Sequence, residues 1–190
     1  MRITQNVVKA FVVNAAVVAV SVGANVCGAI LATRSSFPLY LDSVMTFAAT
    51  ALCGLWGGIS CAVLSNLALF LLGYTSFPFV LCHILTAVFA HITLRRYKKR
   101  NEKTPYTIEI FLLAGVWSAV SNAVSGNIIS SILYNSAATP QITYAMQGIY
   151  IATGNLTFAK YMAGTLTNLA DKIISAVVSF AGYKIARAWN

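Results

Sequence analysis

Apolar positions run almost unbroken through this chain, and the polar residues that interrupt them come in short clusters that divide it into long segments. Residues 7–32 carry one charge, Lys9. That stretch is of full spanning length, since a helix rises about 1.5 Å per residue and a bilayer core is about 30 Å thick. Residues 39–73 form an apolar run whose only charge is Asp42 and which is interrupted by Gly54, Gly57 and Gly58; its length falls between one crossing and two. Helical lengths also cover 79–94, 106–134 and 158–188. The turn-rich stretches 34–38 and 73–78 separate the first three segments, and Pro38 and Pro78 disfavour helix at the residue before them. In the polar stretch 135–157, Ile142, Met146 and Ile149 recur at helical spacing, which predicts a short amphipathic helix at the outer surface.

Composition turns these segments into membrane spans. With 58% hydrophobic and 9% charged residues and a mean hydropathy of +0.76, the chain has too little polar surface for an ordinary soluble domain. A formal charge of +9 would suggest a nucleic-acid partner in a soluble protein, but six of the thirteen basic residues lie between Arg95 and Lys103. That is the signature of a cytoplasmic loop, here 95–105, so no nucleic acid is expected. Arg2, Lys9, Lys184 and Arg187 belong on the same side, so an even number of crossings separates the start from the basic loop. Helices 7–32 and 79–94 supply two. The stretch between them must therefore cross twice, as helices 39–53 and 56–72 reversing at the Gly54–Gly58 glycines. The expected fold is an all-α integral membrane protein: one domain over 1–190, six transmembrane helices and both termini cytoplasmic. The first helix lacks the cleavage pattern of a signal peptide and is expected to be retained. Cys27, Cys53, Cys61 and Cys82 lie in apolar segments with no Cys-x-x-Cys pair and read as buried reduced thiols.

Ionisable residues inside a membrane are functional candidates by default, because burying them in hydrocarbon is costly. Asp171 and Lys172 stand out. Thr165, Asn168, Asp171 or Lys172, Ser175 and Ser179 share one face of the last helix, so that face meets protein or water. Asp171 and Asn168 suit ligand contact and structure equally; Lys172 suits a structural ion pair better. Ser118, Ser121, Asn122, Ser125 and Gly126 line one side of the fifth helix, and the fourth carries His83. A cavity bounded by Asn25, His83, Asn122, Asn168 and Asp171 would suit a small molecule. The bland reading of His83 is a satisfied interhelical hydrogen bond, and that of Asp42 is capping of the second helix, with contact to substrate or to Arg34 the alternative. His91 reads as interfacial and Glu109 as a first-turn carboxylate. On the first helix, Asn14, Ser21, Asn25 and Gly28 form one stripe, while Ala15, Ala19 and Gly23 form a small-residue ladder suited to close helix packing, within the chain or against another subunit.

The chain carries no Gly-x-Ser-x-Gly, no His-Glu-x-x-His, no phosphate-cradling glycine loop and no acid cluster with metal spacing. It does not read as an enzyme, and neither catalytic residue, metal nor cofactor is expected. Leu39-Tyr40-Leu41-Asp42-Ser43, Gly54-Leu55-Trp56-Gly57-Gly58, Leu64-Ser65-Asn66-Leu67 and Ala170-Asp171-Lys172-Ile173-Ile174-Ser175 together resemble the substrate-binding S components of energy-coupling factor (ECF) transporters. The resemblance spans nearly the whole chain. Where many members have Gly-Pro before the turn's aromatic, this chain has Gly54-Leu55. It implies a subunit of an ABC-type importer in a prokaryotic cytoplasmic membrane, which captures a vitamin or related micronutrient from outside. The partners it implies are a transmembrane coupling subunit and two cytoplasmic ATPases. It also implies that Ala15 and Ala19, with Gly23, meet the coupling subunit, and that Tyr40 and Asp42 belong with the substrate-binding candidates. The rival reading is a membrane sensor or interaction module without transport. A sensor is expected to feed a cytoplasmic output domain, and the chain ends two residues after Ala188, which favours the subunit.

Overall fold

A computed structural model describes the backbone of residues 2–102, 104–133 and 140–188, and the side chains of 8–102, 104–133 and 142–188. These residues form an all-helical bundle of α1 (Arg2–Arg34), α2 (Thr46–Leu71), α3 (Val80–Arg100), α4 (Ile108–Leu133), α5 (Pro140–Thr153) and α6 (Leu156–Ala188), with a 3-10 turn at Phe77–Phe79 before α3. Four segments are long and apolar enough to cross a membrane: Val8–Arg34, Thr46–Leu71, Phe77–Arg100 and Ile108–Leu133. Such helices belong to a membrane bundle, in which every backbone group must find its partner inside the protein.

Helix α2 is not a straight rod. Gly54 adopts φ 73° and ψ −168°, and the chain folds back there. Thr46 Oγ1 lies 4.0 Å from Cys61 Sγ, and Thr46 and Ser65 share one partner, the amide of Asn25. A straight helix would put Thr46 and Ser65 about 28 Å apart. A Cβ on Gly58 would run into Thr50, and one on Gly57 into Cys53, so the glycines let the two arms of the hairpin close on each other. The reversal expected from charge parity is present as a sharp turn.

The passage leading into that turn differs from the expected helix 39–53. Helix begins only at Thr46, and residues 35–45 run back along α1 as irregular chain. Leu41 lies against Gly28, the Met45 N–H donates to Asn25 Oδ1 (2.8 Å), and Cys53 Sγ reaches the Asn14 carbonyl (3.8 Å). From Arg34 back to Asn14 is about 30 Å along α1, by the rise per residue. Residues 35–53 therefore cover the thickness of a bilayer core, half as irregular chain and half as helix, and 55–71 return beside them.

Other boundaries shift too. The helix expected at 79–94 continues to Arg100, so the basic residues from Arg95 to Arg100 ride on the last turns of α3 and not in a loop; Lys103 lies outside the described residues. Helix α1 is longer than 7–32, and α6 starts two residues before 158. Tyr134, the expected end of helix 106–134, and residues 135–139 of the polar stretch also lie outside the described residues. The amphipathic helix expected in that stretch is α5; Ile142 is buried, Met146 and Ile149 are half-buried, and the helix packs on α6.

Helix α6 is missing from the segments apolar enough to span because Asp171 and Lys172 lower its average. Both are buried, together with Thr167, Asn168, Ser175 and Ser179, while Leu166, Leu169, Ile174, Val177, Val178 and Ile185 point outward. Its outer face is as apolar as its neighbours'. Thr165, expected on the polar stripe, faces outward and donates to the Tyr161 carbonyl (2.8 Å); Thr167 takes the inward position. Helix α4 closes against α6 at Gly115, where a Cβ would lie 2.9 Å from the Lys172 carbonyl oxygen.

Packing is uneven along the bundle. Toward the end that carries the basic residues, Phe47, Ala48, Ala90, Leu94, Phe111, Ala114, Ala176 and Tyr183 form a solid core. There Phe111 meets Phe180 and Tyr183 with ring centroids 5.4 and 5.6 Å apart. The opposite end is hollow. Since Gly54 holds a backbone conformation open only to glycine, Gly54→Ala should destabilise the bundle by about 1–3 kcal/mol. Gly148→Ala, in the open interior of α5, should be neutral or slightly stabilising. Thermal unfolding of the two variants in detergent checks the contrast.

Candidate functional site

The site grows from the problem of the irregular passage. Leu41 takes φ 48°, a left-handed conformation that a leucine keeps only when its surroundings enforce it. Asp171 does so from α6. Its Oδ1 accepts the N–H groups of Tyr40 (3.1 Å) and Leu41 (2.7 Å), pinning two backbone donors of the irregular chain. Ser179 Oγ donates to the Val44 carbonyl at 2.6 Å and fastens the far end of the passage to the same helix.

Lys172, the next residue, joins both carboxylates. Its Nζ donates to Asp171 Oδ2 (2.7 Å), Ser43 Oγ (2.7 Å) and Asp42 Oδ1 (3.2 Å), which accounts for all three ammonium protons. Asp42 Oδ2 in turn lies 2.7 Å from His83 Nε2 on α3. Four ionisable side chains from three parts of the chain thus form one cluster. Asp171, Lys172 and His83 are buried, and Asp42 is 22% exposed. Asp42 does not cap α2: that helix starts four residues later, with no side-chain cap bond. Its carboxylate is held by His83 and Lys172 instead.

Beside the cluster is a cavity of about 500 Å³, within the range that holds small organic ligands. Ala29 and Thr33 of α1, Tyr40 and Asp42 of the irregular passage, and Leu69 of α2 form one wall. Residues 73–76, Phe79, Cys82 and His83 form the next. Asn122, Gly126, Asn127 and Ser130 of α4, Ile142 of α5, and Gly164, Asn168 and Lys172 of α6 complete it. These residues come from the C-terminal halves of α1 and α4 and the N-terminal halves of α3 and α6. The cavity therefore lies at the end of the bundle away from Arg95–Arg100, Lys184 and Arg187.

Of the eight substrate-binding candidates, six line this space: Tyr40, Asp42, His83, Asn122, Asn168 and Lys172. Asn25 and Asp171 do not. Asn25 is wholly buried between α1 and both arms of α2, donating to Thr46 Oγ1 (3.1 Å) and Ser65 Oγ (3.0 Å). Asp171 sits behind the irregular passage. Both position the wall and do not face the space. Lys172 lines it, but its protons are turned to the cluster. Asn127, Ser130 and residues 73–76 were missed by the sequence pattern. The four-residue step from Asn122 through Gly126 leads to Ser130 and could have found it. The loop residues carry no periodic signal.

Two polar atoms of the wall have no partner: His83 Nδ1 and Asn122 Oδ1, on side chains only 2% and 1% exposed. Ser175 Oγ, the third such atom among the described residues, is not in the cavity wall. Elsewhere, Ala15, Ala19 and Gly23 are exposed along one flank of α1, and a Cβ on Gly23 would meet nothing. That ladder does not pack within the chain. The stripe of Ser21, Asn25 and Gly28 is the one that meets α2 and the irregular passage. Of the four cysteines, Cys61 and Cys82 are buried, Cys53 is half-buried and Cys27 is exposed; none is disulfide-bonded. No family model, curated protein or solved structure matches the chain.

Removing Lys172 would leave the buried carboxylate of Asp171 and the half-buried one of Asp42 facing an empty position. Lys172→Met should destabilise the protein by about 3–5 kcal/mol, and Asp171→Asn added to it should restore part of that loss. Denaturant unfolding of the single and double variants tests the pair.

Proposed function

We propose that this chain is the substrate-binding membrane subunit of an ECF-type importer, capturing a vitamin-like small molecule from outside for uptake driven by partner ATPases. The observation that carries the reading is the position of the cavity. It opens at the end of an apolar bundle remote from Arg95–Arg100, Lys184 and Arg187, and such a concentration of basic residues marks the cytoplasmic side of a membrane protein. A hollow outer half over a solid inner half suits capture from outside and no free passage through.

In this reading the bundle crosses the membrane six times, through α1, 35–53, 55–71, α3, α4 and α6, with both termini in the cytoplasm. Parity supports it. The chain reverses at Gly54, and α6 keeps its charges inside. The chain lacks a nucleotide-binding motif of its own, so energy would come from a transmembrane coupling subunit and two cytoplasmic ATPases. The exposed ladder of Ala15, Ala19 and Gly23 is suited to close approach by another helix, because small residues let backbones come near where apolar side chains gain little by leaving lipid.

The experiment is uptake by cells carrying the chain together with coupling and ATPase subunits. Ala15→Trp combined with Ala19→Trp should abolish uptake and co-purification of the ATPases while leaving the melting temperature and ligand binding of the isolated chain unchanged. Full uptake in that double variant rejects the docking face. Failure of the wild-type chain to co-purify with ATPase subunits in mild detergent, or to support uptake, rejects the transport reading.

A further inference from the structure

We infer that the cavity takes a hydrogen-bond-donating nitrogenous ligand, an amidine, amine or amino-heterocycle, in preference to carboxylates and phosphates. The inference rests on the reading of this cavity as the binding site, and it assigns the chemical class of the occupant. It comes from the hydrogen-bond orientation of the wall.

Asn122 cannot turn its amide round. Thr86 Oγ1 already donates its proton to the Cys82 carbonyl (3.0 Å), so it can only accept from Asn122 Nδ2, 2.9 Å away. The Asn122 carbonyl oxygen is thereby left in the wall with no partner. Asn168 is oriented in the same sense. Its Nδ2 donates to the Gly164 carbonyl (2.9 Å), an atom that can only accept, which leaves its own side-chain carbonyl as an acceptor. Asn127 repeats the arrangement with a longer bond, 3.5 Å, to the Tyr161 carbonyl.

His83 borders the same space, its Nε2 2.7 Å from the Asp42 carboxylate. A buried acceptor without a partner, as at Asn122 Oδ1, is costly, and a ligand N–H relieves it. Lys172, the only Lys or Arg among the described residues of the wall, directs all three protons to Asp42, Asp171 and Ser43. Tyr74 and Phe79 border the same space, and an aromatic ring face can accept a cation.

Three probes of one shape separate the alternatives: benzamidine, benzamide and benzoate, titrated by saturation-transfer NMR against the full chain in nanodiscs of zwitterionic lipid. Benzamidine should bind at least tenfold more tightly than benzoate, with benzamide between them. Asn122→Leu keeps the volume and removes the acceptor; it should weaken benzamidine about tenfold and leave benzoate unmoved. Asn168→Leu serves the same purpose should Asn122→Leu fail to fold by its melting curve. Benzoate binding as tightly as benzamidine overturns the donor assignment while leaving the cavity a binding site. Binding unaffected by both leucine variants overturns it as well. Binding of none of the three probes to folded protein removes the cavity as the site, and uptake assays still decide the transport reading separately.

Discussion

The bundle depends on one carboxylate. Asp171 offers one oxygen to the backbone of Tyr40 and Leu41 and the other to the ammonium of Lys172. Irregular chain cannot lie at membrane depth with open N–H groups, because hydrocarbon provides no substitute for water. Residues 35–45 can run as irregular chain inside the bundle because α6 supplies acceptors for the N–H groups of Tyr40 and Leu41. Burying that carboxylate alone would be prohibitive, and Lys172 makes it possible. The charge of Lys172 is balanced in turn by Asp42, which comes from the very passage being held. The ion cluster and the irregular passage thus require each other.

The same arrangement explains why the molecule is hollow at one end. A helix through 35–45 would have packed against α1 and α3 as the aromatic core does further down. An extended chain pinned to α6 keeps Tyr40 and Asp42 at the edge of the space and holds α3 and α6 apart across the Asp42–His83 contact. The site's polar atoms are set by the protein's internal hydrogen bonds, before any ligand arrives.

Much of this was legible in the residues, and the failures have physical reasons. The reversal at Gly54 followed from counting charges on either side, without structural information. Asp171, Lys172, His83 and Asn122 were visible as polar residues where lipid forbids them unless they face inward. The start of α2 was not visible. Residues 39–53 are apolar enough to read as helix, and the feature that unwinds them lies 130 residues away on α6. Capping by Asp42 failed for the same reason, since the local rule assumes a helix begins beside it. Asn25 was placed on the cavity and instead lies between α1 and both arms of α2, and of the two readings open for Asp171 the structure shows the ion pair with Lys172, because periodicity reports which face is inward and says nothing of what lies across from it. The opposite ambiguity held for Ala15, Ala19 and Gly23, whose spacing suits any helix partner.

The dependence of residues 35–45 on α6 also bears on how the protein is made. Ribosomes deliver α1 and the Gly54 hairpin long before Asp171 and Lys172 emerge. Until then Asp42 lacks the ammonium that helps to balance it, and the passage lacks the carboxylate that pins it. Residues 35–45 can therefore take their final path only when the last helix arrives, so the second element of the chain is completed by the last.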